Sequence, residues 1–337
     1  MTTVTPLFPP VRVAVVVPTY RRPALLRRCL QALLQQRLSH DAYEIVVVDD
    51  GRDDATRDLV RQLAARRLSE HQPLLRYLRP SRGRGPAQAR NIGWRNTMAP
   101  LVAFTDDDTV PAPDWLAEGL AALEAHPQWV AAAGQVVVPL LHDRAPNDHE
   151  RMTQGLEAAE FVTANAFVRR GALENVGGFD ERFTAAWRED SDLQFRLLAL
   201  GPVGRCPEAR VLHPVRPESW GVCLRRQRNV FFDALLYRKH RRLYRQRIRP
   251  MPPWDHYAIV ALVLAAACFA AAAAPVAASV AAALAALFVL MLTWRRLRGA
   301  DHSAAHVAEM LATSALIPFL SVYWRLRGAI HFRVPFW

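Results

Sequence analysis

The sequence predicts an α/β fold, an open and mostly parallel sheet with helices on both faces, followed by an apolar helical hairpin. Three observations predict it. The runs Val13-Ala14-Val15-Val16-Val17 and Ile45-Val46-Val47-Val48 are apolar on both faces and too short for helices, as central parallel strands are. Between such runs lie segments with helical spacing of apolar residues, the alternation that builds a parallel sheet. From His256 to Trp294 almost every residue is apolar, interrupted by Pro275.

In chain order, residues 12–18 read as the first strand, closed by Pro18-Thr19-Tyr20. Residues 23–36 read as a helix, with Leu26, Cys29, Leu30 and Leu33 on one face and Pro23 in its first turn. The second strand ends in Asp49-Asp50-Gly51, a helix over 55–67 follows, and 74–78 make a third strand. After Gly83-Arg84-Gly85 comes a helix over 87–96, then the run Leu101-Val102-Ala103-Phe104, which delivers Asp106, Asp107 and Asp108 to the sheet edge. Open α/β sheets hold ligands at such strand ends. Further strands are expected at 129–141, 163–169 and 205–213, a mobile loop at 142–153, a turn at 177–180 and a helix over 190–199. A long basic helix is expected over 220–247.

The chain has 337 residues and a formal net charge of +12. Such a balance calls for an acidic partner: a phosphorylated substrate, an anionic membrane or nucleic acid. Lys239 is the one lysine, so the charge is arginine. Residues 205–249 carry thirteen Arg or Lys against three acids, directly before the apolar stretch, which is a juxtamembrane pattern. Nucleic acid is disfavoured because no stacking array of aromatics accompanies the charge. Cys29, Cys206, Cys223 and Cys268 are scattered without a CxxC pair, so neither a zinc site nor a disulfide framework is expected.

The first ten residues have neither a basic region nor a long apolar one, and no signal peptide is expected. Residues 256–294 are long enough for two passes turning near Ala274-Pro275. Arginines flank both ends, and the positive-inside rule places both in the cytoplasm, which a hairpin satisfies. The tail over 304–324, followed by Arg325, Arg327 and Arg333, suits an interfacial helix. These shifts divide the chain at 1–220, 221–253 and 254–337.

Three adjacent carboxylates repel one another unless something positive sits among them. Asp106-Asp107-Asp108 therefore reads either as a site for a hard divalent cation such as Mn2+ or Mg2+, or as an acidic turn capping the next helix. Similarly, Asp49-Asp50-Gly51 reads as a ligand contact or a simple turn. Glu189-Asp190-x-Asp192 lies at the start of the helix expected over 190–199, where the macrodipole favours negative charge and capping would account for it.

Taken in order, Val15-Val16-Val17-Pro18-Thr19-Tyr20, Val46-Val47-Val48-Asp49-Asp50-Gly51, Gly85-Pro86-Ala87-Gln88-Ala89-Arg90-Asn91-Ile92-Gly93, Asp106-x-Asp108, Gly177-Gly178-Phe179-Asp180-Glu181 and Glu189-Asp190-Ser191-Asp192-Leu193 resemble the family 2 glycosyltransferases. The resemblance spans about residues 13–213. It implies a GT-A fold and a nucleotide-sugar donor. Pro18, Thr19 and Tyr20 would line the base pocket, and Asp49 or Asp50 would accept a hydrogen bond from base or ribose. Arg90 would reach the diphosphate, Asp106 and Asp108 would position the metal, and Asp107 would shape the turn or touch the ribose. Asp190 matches the general base of an inverting displacement, Glu189 would raise its pKa, and Trp187 would stack on an acceptor sugar. His213 would complete the metal shell or touch the diphosphate.

Two departures stand out: Arg21 where relatives often have Asn, and Arg52 where a small Ser is common. The processive Gln-x-x-Arg-Trp signature is absent, so one sugar per encounter is expected. The resemblance and the membrane tail together imply an enzyme on the cytoplasmic face of the inner membrane. It would act on a cell-envelope glycan or its lipid-linked precursor. The alternatives are a polyprenyl-phosphate glycosyltransferase and a non-catalytic nucleotide-sugar-binding membrane protein.

Overall fold

The alternation of strand and helix foreseen above is present in the computed structural model, which describes residues 11–66, 72–140 and 143–336. The first ten residues, on which the expectation about a signal peptide rests, lie outside the described residues. So do Arg67, Leu141 and His142. The chain divides into two compact units, one of Met1–Pro139 and Gln154–Pro214, the other of Leu140–Thr153 and Val215–Trp337.

In the first unit the elements are β1 (Val13–Thr19), α1 (Pro23–Leu34), β2 (Tyr43–Asp49), α2 (Asp54–Ala64), β3 (Leu74–Leu78), α3 (Pro86–Arg95), β4 (Leu101–Phe104), β5 (Val110–Pro111), α4 (Trp115–Ala125) and β6 (Ala131–Val137). A helix, α5 (Asp148–Gln154), all but its last residue in the second unit, follows where a mobile loop was expected. Its Asn147 and Glu150 side chains reciprocally accept each other's backbone N–H, a capping box that outweighs the polar composition. Then come β7 (Ala166–Arg169), α6 (Arg170–Val176), α7 (Glu189–Leu197) and β8 (Val203–Leu212).

The eight strands form one mixed sheet in the order β3-β2-β1-β4-β7-β6-β8-β5. Pairs β1–β2, β2–β3, β1–β4 and β6–β8 are parallel, whereas β7 and β5 oppose their neighbours, so six strands share a direction. Every residue of β1 is buried, because its two faces serve two cores. Val13, Val15 and Val17 pack with Leu26, Leu30 and Trp115 on one side. Val16 packs with Trp94, Phe104 and Phe179 on the other. The strand expected over 129–141 is confined to Ala131–Val137.

The sheet's topology positions the site. β1, β2 and β4 run parallel and end on one edge, at Thr19, Asp49 and Phe104. In the antiparallel pair β5–β8, Val110 lies opposite Leu212. Stepping one residue outward on each strand brings Thr109 opposite His213, so Asp108 and His213 become neighbours across 105 residues of chain.

In the second unit the basic helix expected over 220–247 is broken into α8 (Val222–Arg226), a 3-10 turn at Gln227–Asn229 and α9 (Val230–Lys239), then a short turn at Arg241–Leu243 and a π-helical turn at Tyr244–Ile248. The break falls at His240, whose φ of −137° is not helical. Three helices follow: α10 (Trp254–Ala271), α11 (Pro275–Leu297) and α12 (Ala304–His331). All three are long and apolar enough to cross a membrane. α10 and α11 form the expected hairpin, turning at Ala273, which adopts φ 54° just before Pro275. Their apolar side chains, among them Leu264, Phe269, Val276 and Leu290, are bare. α12 extends seven residues past the expected end and buries Arg325 along with Met310, Ile317 and Val322.

Candidate active site

The loop between β4 and β5 carries the acidic trio, and the structure gives its members different surroundings. Asp106, Asp108 and His213 each offer one ligand atom, all within 4.8 Å of one another. His213 Nε2 stands 3.7 Å from Asp108 Oδ1. The donor set of two carboxylates and an imidazole suits a divalent cation. Nδ1 of His213 is buried without a hydrogen-bond partner among the described residues, so no protein group fixes the ring's tautomer.

Asp107 points elsewhere. Its Oδ2 accepts from Thr19 Oγ1 at 2.6 Å, and its Oδ1 lies 3.0 Å from Arg22. Burial pushes its carboxyl up to about 6 against the pull of Arg22 and Thr19. Arg22 also stands 3.6 Å from Asp108, so one guanidinium serves two of the three acids. Asp107 thus ties the β1 end to the acidic loop.

Arg90, on α3, is 2% exposed. One of its terminal nitrogens donates to Asp106 Oδ1 at 2.8 Å and the other to Glu189 Oε1 at 3.0 Å. Its guanidinium therefore joins the acidic loop to the start of α7, with its flank 5.7 Å from the Phe179 ring. Its two terminal nitrogens donate to protein carboxylates, while its Nε is buried without a partner among the described residues.

Glu189 and Asp190 open α7, where the helix dipole favours negative charge. Burial pushes Glu189 up to about 7, reinforced by the neighbouring Asp190 charge and opposed by Arg90. Burial also raises Asp190, although the Ser191 N–H donates to its Oδ1 at 2.6 Å. Arg188, which precedes the pair, adopts φ 74° and lays its guanidinium 4.6 Å from the half-buried Trp187 ring. Asp192 is fully buried and accepts two bonds from Arg196, whose remaining nitrogen donates to the carbonyls of Val176 and Gly178. Asp192 is therefore a brace for the glycine turn.

At the β2 end, Asp49 is fully buried. Its oxygens accept the N–H groups of Gly51 and Asp53 and the Tyr77 hydroxyl, at 3.0, 2.7 and 2.8 Å. Asp50 accepts the backbone N–H groups of Arg84 and Gly85, both at 3.0 Å, and so holds the glycine loop that starts α3. Gly85 needs its φ of 99°, and a Cβ there would stand 2.3 Å from the Thr184 carbonyl oxygen. Tyr20 leaves its ring half exposed, 5.4 Å from Arg21. Arg21 and Arg52, the two departures, adopt φ 53° and 55°. This is the left-handed region, which Asn tolerates better than Arg, a reason for the Asn expected at position 21 but not for a Ser at position 52.

Sequence reading missed three supports: the Arg90 bridge, the Arg22 clamp and Asn91. Asn91 donates to the Phe179 carbonyl and to Glu181, and accepts from Phe179 N–H and Trp94 Nε1. The pairing of an Arg-Asn motif with a distant Gly-Gly-Phe-Asp-Glu turn was visible, but not that one amide latches them together.

The model of the family described as "Glycosyl transferase family 2" matches residues 14–177, and that of "Glycosyl transferase family group 2" matches residues 101–298. A Streptomyces hygroscopicus subsp. limoneus protein named validoxylamine A glucosyltransferase is 31% identical over 244 residues, covering 62% of this chain and 51% of that one. Glycosyltransferase AglE of Haloferax volcanii is 26% identical over 230 residues, covering 65% of this chain and 71% of its own. The chain spans about half the length of the Streptomyces relatives it matches. A mannosyltransferase from Pyrobaculum calidifontis, solved with GDP-Man and Mn2+, superimposes with a TM-score of 0.58 at 23% identity, over 93% of this chain and 89% of that one. That likeness establishes the GT-A fold.

Proposed function

Since the chain belongs to the family 2 glycosyltransferases, we propose that it moves a sugar from a nucleotide-sugar donor to a hydroxyl of a cell-envelope glycan or lipid-linked precursor, inverting the anomeric centre. The observation that carries this reading is the Arg90 bridge, which joins Asp106 of the Asp106–Asp108–His213 cluster to Glu189, the residue before the candidate base Asp190. The names of the two relatives described above, a glucosyltransferase and a glycosyltransferase, support the reaction class.

In this reading Asp106, Asp108 and His213 hold a divalent cation. The cation supplies Lewis-acid neutralisation of the diphosphate as the nucleotide leaves. Tyr20 offers its exposed ring to the base, and Asp50, by holding the Gly83–Gly85 loop, sets the start of α3, whose first-turn N–H groups beyond that loop face the phosphates. Asp190 takes the proton of the acceptor hydroxyl at a carboxylate oxygen while that hydroxyl attacks from the face opposite the leaving group. A raised pKa makes it a stronger base than an ordinary aspartate. Arg90 acts as a positioning residue, fixing Glu189 beside Asp190 and Asp106 in the cluster. Trp187 stands beside the acid, where an acceptor ring would stack.

The bare hairpin α10–α11 embeds in the cytoplasmic membrane, and the arginines at both its ends keep the first unit on the cytoplasmic side. The test uses the full chain in detergent with Mn2+, a nucleotide-sugar panel and envelope-type acceptors. Transfer is expected to fall by about 10²–10⁴-fold in Asp190→Asn, with donor binding retained. Chelation is expected to abolish transfer in the wild type. Undiminished transfer by Asp190→Asn would overturn the assignment of the base.

A further inference from the structure

The second unit contains a cluster of basic and unpartnered polar side chains that the transfer reading leaves without a role. α12 packs along the segment that precedes the hairpin. Gly221 N–H donates to Glu309 at 2.7 Å, Arg238 donates to the Phe332 carbonyl at 2.8 Å, and a Cβ at Gly328 would meet the Phe231 carbonyl oxygen at 2.6 Å. One helix thus runs beside α8 and α9 for most of its length. That course follows the basic collar, and it places the C-terminal part of α12 near the start of α10.

There Arg325 is 2% exposed. Its guanidinium stands 4.6 Å from the Phe336 ring, and its Nε has no hydrogen-bond partner among the described residues. Tyr257 Oη and His256 Nδ1, in the first turn of α10, are also buried without partners among the described residues. The three belong to one electrostatic neighbourhood. The Arg325 charge acts on Tyr257, on His256 and on Arg249, and the Arg249 charge acts on His256. Desolvation and the Arg325 charge hold the Arg249 guanidinium below its usual pKa against the opposite pull of Asp255 and Asp233, although the residue as a whole is exposed. Of the nearby acids, Asp255 is paired with Arg295, and Asp233 is buried on α9.

A buried guanidinium with an unpartnered Nε, beside a tyrosine hydroxyl and an imidazole nitrogen that are also buried without partners among the described residues, forms an unfavourable arrangement that an anion would relieve. A guanidinium fork matches phosphate oxygens, and a tyrosine hydroxyl adds a neutral donor. The cluster lies at the start of a bare apolar helix and at the end of the arginine-rich collar, the depth at which lipid headgroups sit. We propose that Arg325, Arg249, Tyr257 and His256 bind the phosphate of a membrane lipid headgroup. The proposal rests on the hairpin being membrane-embedded and not on the transfer chemistry.

Two lipids carry that chemistry, a bulk anionic phospholipid and a polyprenyl phosphate. The experiment is native mass spectrometry of the full chain released from detergent micelles doped with one probe at a time. The probes are dioleoylphosphatidylglycerol, a polyprenyl monophosphate, and dioleoylglycerol as the phosphate-free control. One phosphate lipid is expected to stay bound where dioleoylglycerol does not, and the tighter of the two names the source. Arg325→Gln is expected to weaken it about tenfold, and Tyr257→Phe, which removes one oxygen and preserves packing, about threefold. Arg298→Gln, a basic residue lying over Trp294 and outside the cluster, is expected to bind as wild type. Equal retention of all three probes, or wild-type affinity in Tyr257→Phe and in any folded Arg325→Gln, overturns the proposal. Equal weakening by Arg298→Gln also does so, because it would reveal bulk charge attraction alone. Partition of the wild type into neutral phosphatidylcholine vesicles checks the membrane premise separately.

Discussion

Replacing Arg90 by methionine removes a guanidinium that is 2% exposed and bonded to Asp106 at 2.8 Å and Glu189 at 3.0 Å. The volume is nearly kept, so the loss is electrostatic. Two carboxylates lose their shared cation in a buried setting, and breaking a buried pair in this way costs about 3–5 kcal/mol. Part of that cost is avoided by protonation, since Glu189 already titrates near 7 and would move higher without Arg90. The destabilisation should therefore be smaller at pH 6 than at pH 8. For a unit of this size, the pH 8 loss corresponds to a fall in Tm on the order of 10 °C. Thermal unfolding of the full chain in detergent, followed by tryptophan fluorescence, is the assay. The double variant Arg90→Met/Glu189→Gln should recover about half of the loss, because one of the two stranded charges is gone. A single variant melting within about 2 °C of wild type at pH 8, or a double variant no better than the single, would refute the bridge as a source of stability.

Further expectations follow from the same geometry. His213→Ala should weaken Mn2+ binding about tenfold, by titration calorimetry, since it removes one of three ligands while Asp106 and Asp108 remain. Transfer should rise with pH through a titration above the ordinary aspartate range, because the raised Asp190 acts only when deprotonated. Glu189 has the opposite effect on stability. Its folded pKa of about 7 exceeds the ordinary glutamate value of 4.5, so its favourable contribution is complete below about pH 4.5 and is lost as pH climbs through 7. Glu189→Gln should flatten the loss of Tm between those limits. Asn91→Leu breaks four hydrogen bonds that latch α3 to the Gly177–Asp180 turn; denaturant unfolding should register a loss of about 3 kcal/mol.

The residues that declared themselves in sequence were those whose chemistry is local. Val13–Val17 could be read as a central strand because every side chain is apolar, and Asp106 and Asp108 because three acids in a row demand compensation. The compensation itself was not legible. Arg90 and Arg22 look like any surface arginines in a chain this rich in them, and only the register of the sheet reveals which carboxylates they meet. His213 was named from the resemblance; the physical reason for its place, Val110 lying opposite Leu212, belongs to a two-residue strand too short to leave a periodic signal. Asp49 was expected at a ligand, but Gly51, Asp53 and Tyr77 occupy its oxygens, and Asp50 instead steadies the loop before α3. The basic helix was overextended because composition carried no mark of the break at His240.

The brevity of β5 has a consequence for how the protein comes to be made. Val110 and Pro111 supply little pairing of their own, and their partners on β8 leave the ribosome a hundred residues later. Until then Asp106 and Asp108 lack the imidazole that completes their trio. A cation gripping all three would fasten the last strand of the sheet to the loop of the fourth, so that its binding energy becomes folding energy. Supply of the metal in the cell would then set how firmly this edge is closed, before any sugar arrives.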